Sequence, residues 1–222
     1  MPDTIIIPTH TLARAPGRVC VVIPTRPQPP EWLTQGREPW EIRPGLWGFA
    51  APGPVRACRS EDTLLCPYQP GVPVLVREGW LTYSHPITDH LLRDGADTWP
   101  MRDGEPFEYA ADDDGQLMAL GWVRRSAAFM RAEHARYAFT PETVRCCRVQ
   151  EVTEEEAGLA GYEPYGGRVS GPFDPPEYDG GTARDDFASD WWQKYRARPG
   201  RRWDDNPSVW VIVGDVERRQ GR

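Results

Sequence analysis

Residues 66–80 read CPYQPGVPVLVREGW, and the rest of the chain is organised around them. Cys66 to Gly71 is a turn, with two prolines and a glycine in six residues. It launches residues 72–77, an apolar run that alternates only loosely and therefore reads as a buried strand. Glu78, Gly79 and Trp80 follow, and residues 81–83 resume an extended pattern. A carboxylate thus sits at the end of a buried strand, where burial and neighbouring charge shift a pKa.

Upstream, residues 4–7 and 19–23 are short β-branched runs separated by a turn at Pro16-Gly17. Residues 25–53 are rich in Pro, Gly and Trp and read as a long loop with a brief strand at 46–50. Trp32, Trp40 and Trp47 serve to anchor it. Downstream, residues 84–115 form a polar insertion, in which Asp112-Asp113-Asp114-Gly115 is a solvated turn. Residues 125–137 read as a helix, Thr140-Pro141-Glu142 as a break and residues 143–149 as a strand. Thr153 and Glu156 form a capping box that opens a short helix. Residues 163–181 are a further Gly/Pro/Tyr-rich insertion. Residues 185–196 make the best helix, acidic at its start and basic at its end, with Phe187, Trp191 and Tyr195 on one face. Asn206-Pro207 turns the chain into residues 208–216, the clearest strand. This order predicts one α+β domain over residues 1–222, a partly closed β-barrel with a few flanking helices and long loop insertions.

The 222 residues hold ten Trp, eight Tyr and six Phe, an aromatic load suited to a packed core. The net charge is −7 and the pI about 5.2. Such a chain does not coat nucleic acid non-specifically, since that affinity comes from many Lys and Arg contacts to phosphate. A local cleft that reads one base or a short single strand stays open. Lys194 is the only lysine, which restricts lysine-dependent chemistry to one side chain. Five scattered cysteines, Cys20, Cys58, Cys66, Cys146 and Cys147, form no disulfide framework. Their spacing does not match the paired cysteines of structural zinc, and His85 and His90 with Asp89 and Asp94 read as a solvated loop. No metal and no cofactor is expected. With no secretory leader at the start and no apolar stretch of membrane-spanning length, the expected location is the cytoplasm.

Several strings resemble one family in the right order. CPYQPGVPVLVREGW is similar to the CPYG-x-PGD-x-LWVRE-x-W pattern of phage and prophage ASCH-like proteins. YAAD at residues 109–112 resembles the Y-x-AD that follows it. The stretch FMRAEHARYAFTPETVRCCRVQEVTEEEA and the closing WWQKYRARPGRRWDDNPSVWVIVGDVER have counterparts downstream, and APGRVCVVIPTRPQPP resembles a degraded GRKTQTRRIVKPQP. The resemblance covers most of the chain. It implies a PUA-like barrel with a cleft beside the V-R-E strand, and binding of RNA or nucleobases. In some relatives it implies hydrolysis of N4-acetylcytidine by a lysine, a threonine and a glutamate.

Glu78 occupies the glutamate position. Three roles are open to it: proton exchange, acceptance of hydrogen bonds from a base amino group, or an ion pair with an arginine such as Arg77 or Arg136. The lysine and threonine positions, aligned without gaps, hold Val19, Cys20 and Val22, and neither valine can attack a carbonyl or take a proton. Cys20 in an apolar run reads as core. The expectation is therefore a recognition module for a nucleobase or short single-stranded nucleic acid, with Arg77, Glu78, Trp80, Tyr83 and Arg136 as ligand-binding residues and Glu78 as the catalytic group if the chain is an enzyme. The alternatives are an amidohydrolase acting on an N4-acylated cytosine and a phage factor that binds a host protein.

Overall fold

The computed structural model describes residues 4–12, 16–26, 28–29, 38–43, 46–50, 63–83, 107–110, 112, 116–120, 122–164 and 181–219. Most of the expected insertions at 84–115 and 163–181 lie outside these residues, as do Trp32, Cys58, His85, Asp89, His90 and Asp94 and the side chains of Trp40 and Tyr83. The described residues form a mixed α+β structure, rich in strands and with few helices. Their strands make one five-stranded and two three-stranded sheets, none of which closes into a barrel.

The chain divides into two compact units. The first comprises Arg18–Val72 and Thr140–Asp215, the second Pro2–Gly17, Pro73–Phe139 and Val216–Arg222. The strands are β1 (Thr4–Ile6), β2 (Gly17–Pro24), β3 (Glu38–Arg43), β4 (Leu46–Ala50), β5 (Thr63–Leu65), β6 (Val74–Arg77), β7 (Trp80–Tyr83), β8 (Phe107–Tyr109), β9 (Trp122–Arg125), β10 (Tyr137–Arg148) and β11 (Ser208–Arg218). The larger sheet runs β1-β6-β10-β11-β2. The helices are α1 (Thr9–Leu12), α2 (Gln116–Ala119), α3 (Glu154–Leu159) and α4 (Ala183–Tyr195).

In the first unit, the β-branched run of β11 is buried on both faces, as an interior strand requires. Period-two alternation divides its side chains. Val209 and Val211 join the core formed by Phe187, Trp191 and Tyr195 of α4. Trp210 meets Trp47 edge-on, with ring centroids 6.1 Å apart. Trp47 is thus an anchor, as expected. It sits not in a loop with one brief strand but in a hairpin, β3 antiparallel to β4, with β5 added at the far edge. Low apolar content hid β3, because its exposed Glu41, Ile42 and Arg43 give no alternation to read. The 66–71 turn is present: Pro70 precedes Gly71, whose φ of 76° is the left-handed value a type II turn needs, and Val72 N–H donates to Gln69 O at 3.2 Å.

Both longer helix starts carry capping boxes. Thr153 caps α3, exchanging hydrogen bonds with Glu156. Burial pushes the Glu156 carboxyl up, but hydrogen bonds from Arg145 and Thr153 outweigh it and hold the pKa below the usual range. The start of α4 lies two residues earlier than expected because Thr182 is its cap, paired with Asp185. Glu154 adds acceptors for the N–H groups of Ala183 and Arg184 at 2.7 and 3.0 Å. Thr182→Ala is expected to destabilise the protein by about 1 kcal/mol in urea unfolding. An unchanged midpoint would mean that Glu154 alone satisfies the end of α4.

In the second unit, β1 lies parallel to β6, pairing Ile5 with Val76, and β6 lies antiparallel to the start of β10, pairing Val76 with Tyr137. A smaller sheet places β7 between β8 and β9. The helix expected at 125–137 is absent. Arg125 ends β9, and two short 3-10 turns follow at Ala127–Phe129 and Ala132–His134. Distant groups take the carbonyls that a helix would use: Arg77 binds Ala128 O, Tyr109 binds His134 O, and the side chain and N–H of Arg219 bind the oxygens of Ala135 and Arg136. Tertiary hydrogen bonds thus override local propensity. The expected break at Thr140-Pro141-Glu142 is also absent, since β10 runs straight through it. Pro141 has no N–H to lose, and its carbonyl accepts from Gly71 at 2.8 Å.

Candidate functional site

The second unit gathers Glu78, Tyr109, Asp112 and Arg136. Glu78 follows β6 and is fully buried. Arg136, immediately before β10, reaches Glu78 with a two-pronged ion pair, Nε to Oε1 at 2.8 Å and Nη2 to Oε2 at 2.9 Å. The other edge of the same guanidinium holds Asp112, through Nη1 to Oδ2 and through Nη2 to Oδ1 at 3.0 Å. Such forked geometry is the strongest form of this pairing. The side chain of Arg136 is 14% exposed and that of Asp112 is 55% exposed, so the arrangement runs from the core to the surface.

Aromatic rings frame the guanidinium. Its carbon lies 3.9 Å from the centroid of Tyr109 and 5.1 Å from that of Tyr137, both within cation–π range. Tyr109 is held in turn by its hydroxyl, which donates to His134 O at 2.7 Å, and by packing on Trp80 and Met130. The Asp112 N–H donates to Tyr109 O at 3.0 Å, so one tight turn carries both residues.

Burial raises the Glu78 pKa above the usual carboxylate range, and only partly do the hydrogen bond and charge of Arg136 offset it. Burial disfavours the charge on Arg136, but its hydrogen bonds to Glu78 and Asp112 outweigh that and raise its pKa. With both carboxylates ionised, the site carries a formal charge of −1. The exposed member of the site is the Asp112 carboxylate, whose oxygens accept hydrogen bonds.

Of the five sequence-derived ligand residues, Glu78 and Arg136 come together as the ion pair that was one of three roles for Glu78. Arg77 is directed elsewhere, donating to Ala128 O at 3.0 Å. Trp80 is 1% exposed and packs with Met130. It supports Tyr109 from beneath and offers no open face for stacking. Tyr83 ends β7 opposite Trp122. Asp112 is not only a solvated turn but a partner of Arg136, and Tyr109 joins the site through the same guanidinium. The YAAD string held the signal for both, since it placed an aromatic and a carboxylate three residues apart.

Val19, Cys20 and Val22, the positions aligned with the lysine and threonine of the resembled pattern, lie in the first unit. Val19 and Cys20 are buried in β2. Burial pushes the Cys20 thiol up to about 12, so it stays protonated near neutral pH and is a poor nucleophile. Cys66, Cys146 and Cys147 are likewise buried free thiols, pushed up mainly by burial to about 11, about 12 and about 12. Among the described residues no cluster of three or more His, Cys, Asp or Glu side chains is placed to hold a metal, and no helix is long and apolar enough to cross a membrane. Comparison with protein-family models, with curated proteins and with solved structures finds no match.

Proposed function

We propose that the second unit recognises a nucleobase, free or within a short single strand, by the amino edge of the base, and that the chain is a PUA-like protein of the ASCH type acting in a bacterial cytoplasm as a phage or prophage product. The observation that carries the recognition reading is the Glu78–Arg136–Asp112 array. Two carboxylates flank one guanidinium, and the outer carboxylate is exposed. A phosphate would meet net negative charge there, whereas an exocyclic amine would meet acceptors. Arg136 aims Asp112, and Glu78 aims Arg136. The rings of Tyr109 and Tyr137 lie against the guanidinium, so the acceptor pair has a defined direction. Glu78 is a positioning residue in this scheme, with both its oxygens taken by Arg136.

Titration calorimetry with cytidine and uridine tests the reading, since the two differ in donor and acceptor at the same ring position. Cytidine is expected to bind about tenfold more tightly, the lower range for a hydrogen bond to a charged group. Asp112→Ala should abolish the preference without unfolding the protein. Equal binding of the two nucleosides, or a preference that survives Asp112→Ala, would reject the assignment.

A further inference from the structure

The C-terminal end of α4, in the first unit, carries the densest cationic run of the chain. Lys194, Arg196, Arg198, Arg201 and Arg202 are five of its 26 lysines and arginines, gathered in nine residues of a protein with net charge −7. All are exposed except Arg201, which is half-buried. The helix dipole accounts for Lys194 and Arg196, at the last turn and its cap. It does not account for Arg198, Arg201 and Arg202, which lie beyond the helix. Of these five cations, only Arg202 makes an ion pair with a described residue, Asp205, at 3.8 Å. That carboxylate is already engaged by the N–H groups of Gly200 and Arg202.

An aromatic platform stands beside these charges. Trp191 and Trp192 are neighbours on the helix and point about 100° apart. Trp191 is buried in the core, its indole N–H donating to Arg201 O at 2.9 Å, while Trp192 is 46% exposed. The guanidinium carbon of Arg196 lies 5.4 Å from the Trp192 ring centroid. Lys194 and Arg198 lie 5.5 and 5.8 Å from the ring of Tyr195. Cations spaced along a surface beside an exposed ring are what a single strand needs, since the charges track phosphates and the ring takes a base without regard to its identity.

We infer that this end of α4 binds the phosphate backbone of a single-stranded nucleic acid, with Trp192 as a base-stacking platform. The inference stands on different residues and a different unit from the amino-edge site. The two can therefore fail separately. Uridine oligomers make the separation clean, because uracil has no exocyclic amine for Asp112.

Fluorescence anisotropy with a labelled uridine oligomer of about 15 nucleotides is the test, run between about 50 and 200 mM salt. Wild-type protein is expected to bind with an affinity that falls steeply with salt. The triple variant Lys194→Ala, Arg196→Ala, Arg198→Ala should lower the log–log salt slope by about 2, at roughly 0.7 per lost single-strand phosphate contact. Trp192→Ala keeps all five cations. It should weaken binding about tenfold with the slope retained. An unchanged slope in the triple variant, or no salt-dependent binding by wild type, would overturn the proposal. So would a glutamate polymer of similar charge that binds as tightly and ignores Trp192, because the surface would then recognise charge alone.

Discussion

Replacing Arg136 with alanine is expected to destabilise the fold by about 3–5 kcal/mol, the range for removing one partner of a buried ion pair. The loss comes less from the attraction itself than from the carboxylate left behind. Glu78 is fully buried, and both its oxygens are held by Arg136. Without the guanidinium the carboxylate has neither water nor counter-charge and must take up a proton. The direction with pH follows. The folded pKa of Glu78 already lies above its ordinary value, so its contribution to stability is full below the ordinary carboxylate pKa and is lost as pH rises through the folded pKa. In Arg136→Ala that folded value rises further. The gap between variant and wild type should therefore narrow as pH falls from 7 to 5. Glu156 behaves oppositely: with its folded pKa held low, its contribution is present above the ordinary value and lost as pH falls through the folded one. Urea unfolding at both pH values checks the claim, and an Arg136→Ala deficit independent of pH would show that Glu78 is not the strained group. The double variant Glu78→Met, Arg136→Leu should regain most of the lost stability, because it leaves no unpaired charge. It should not recover cytidine binding.

Gly214→Ala is expected to be comparably damaging, at about 3 kcal/mol or more, beyond ordinary overpacking because the obstacle is backbone. A Cβ at residue 214 would stand 2.2 Å from Thr140 O and 2.8 Å from Pro141 Cα. Neither can swing aside as a side chain would. Here β10 carries Pro141, and β11 comes close enough that only glycine fits. Thermal unfolding of Gly214→Ala measures the effect. Gly158→Ala is the control, since a Cβ there meets nothing within 4 Å. Similar melting temperatures for the two variants would mean that the strands separate at no cost, contrary to the packing observed.

How far the sequence reaches can be judged residue by residue. The strand at 208–216, the capping box at Thr153, the aromatic face of α4, the 46–50 strand and the Asn206-Pro207 turn were all legible. Each depends on side chains within a few positions of one another. A β-branched run prefers an extended chain whatever its partners, a Thr-x-x-Glu box satisfies its own helix end, and four-residue spacing makes one helical face. Asn206 shows the same local logic, with a positive φ of 44° that asparagine tolerates better than most residues. The acidic balance of the chain and its lone lysine were also fixed by composition.

Only the tertiary structure decided the segment from Arg125 to Pro141. Residues 125–137 carry a helical spacing, yet Arg77, Tyr109 and Arg219, dozens of positions away in sequence, take their carbonyls and hold them open. The same non-local control made the candidate site. Glu78, Asp112 and Arg136 are separated by 58 and 24 residues in their two pairings. Which of three roles Glu78 would take, which arginine would meet it, and whether Asp112 faced solvent or a guanidinium all depended on strand pairing. Trp80 turned inward for the same reason, as a strand residue faces whichever side its neighbours bury. Local propensity writes the elements into the chain one turn at a time. The partners of a buried charge are chosen only when distant strands come together, because the energy that selects them does not exist until water has left.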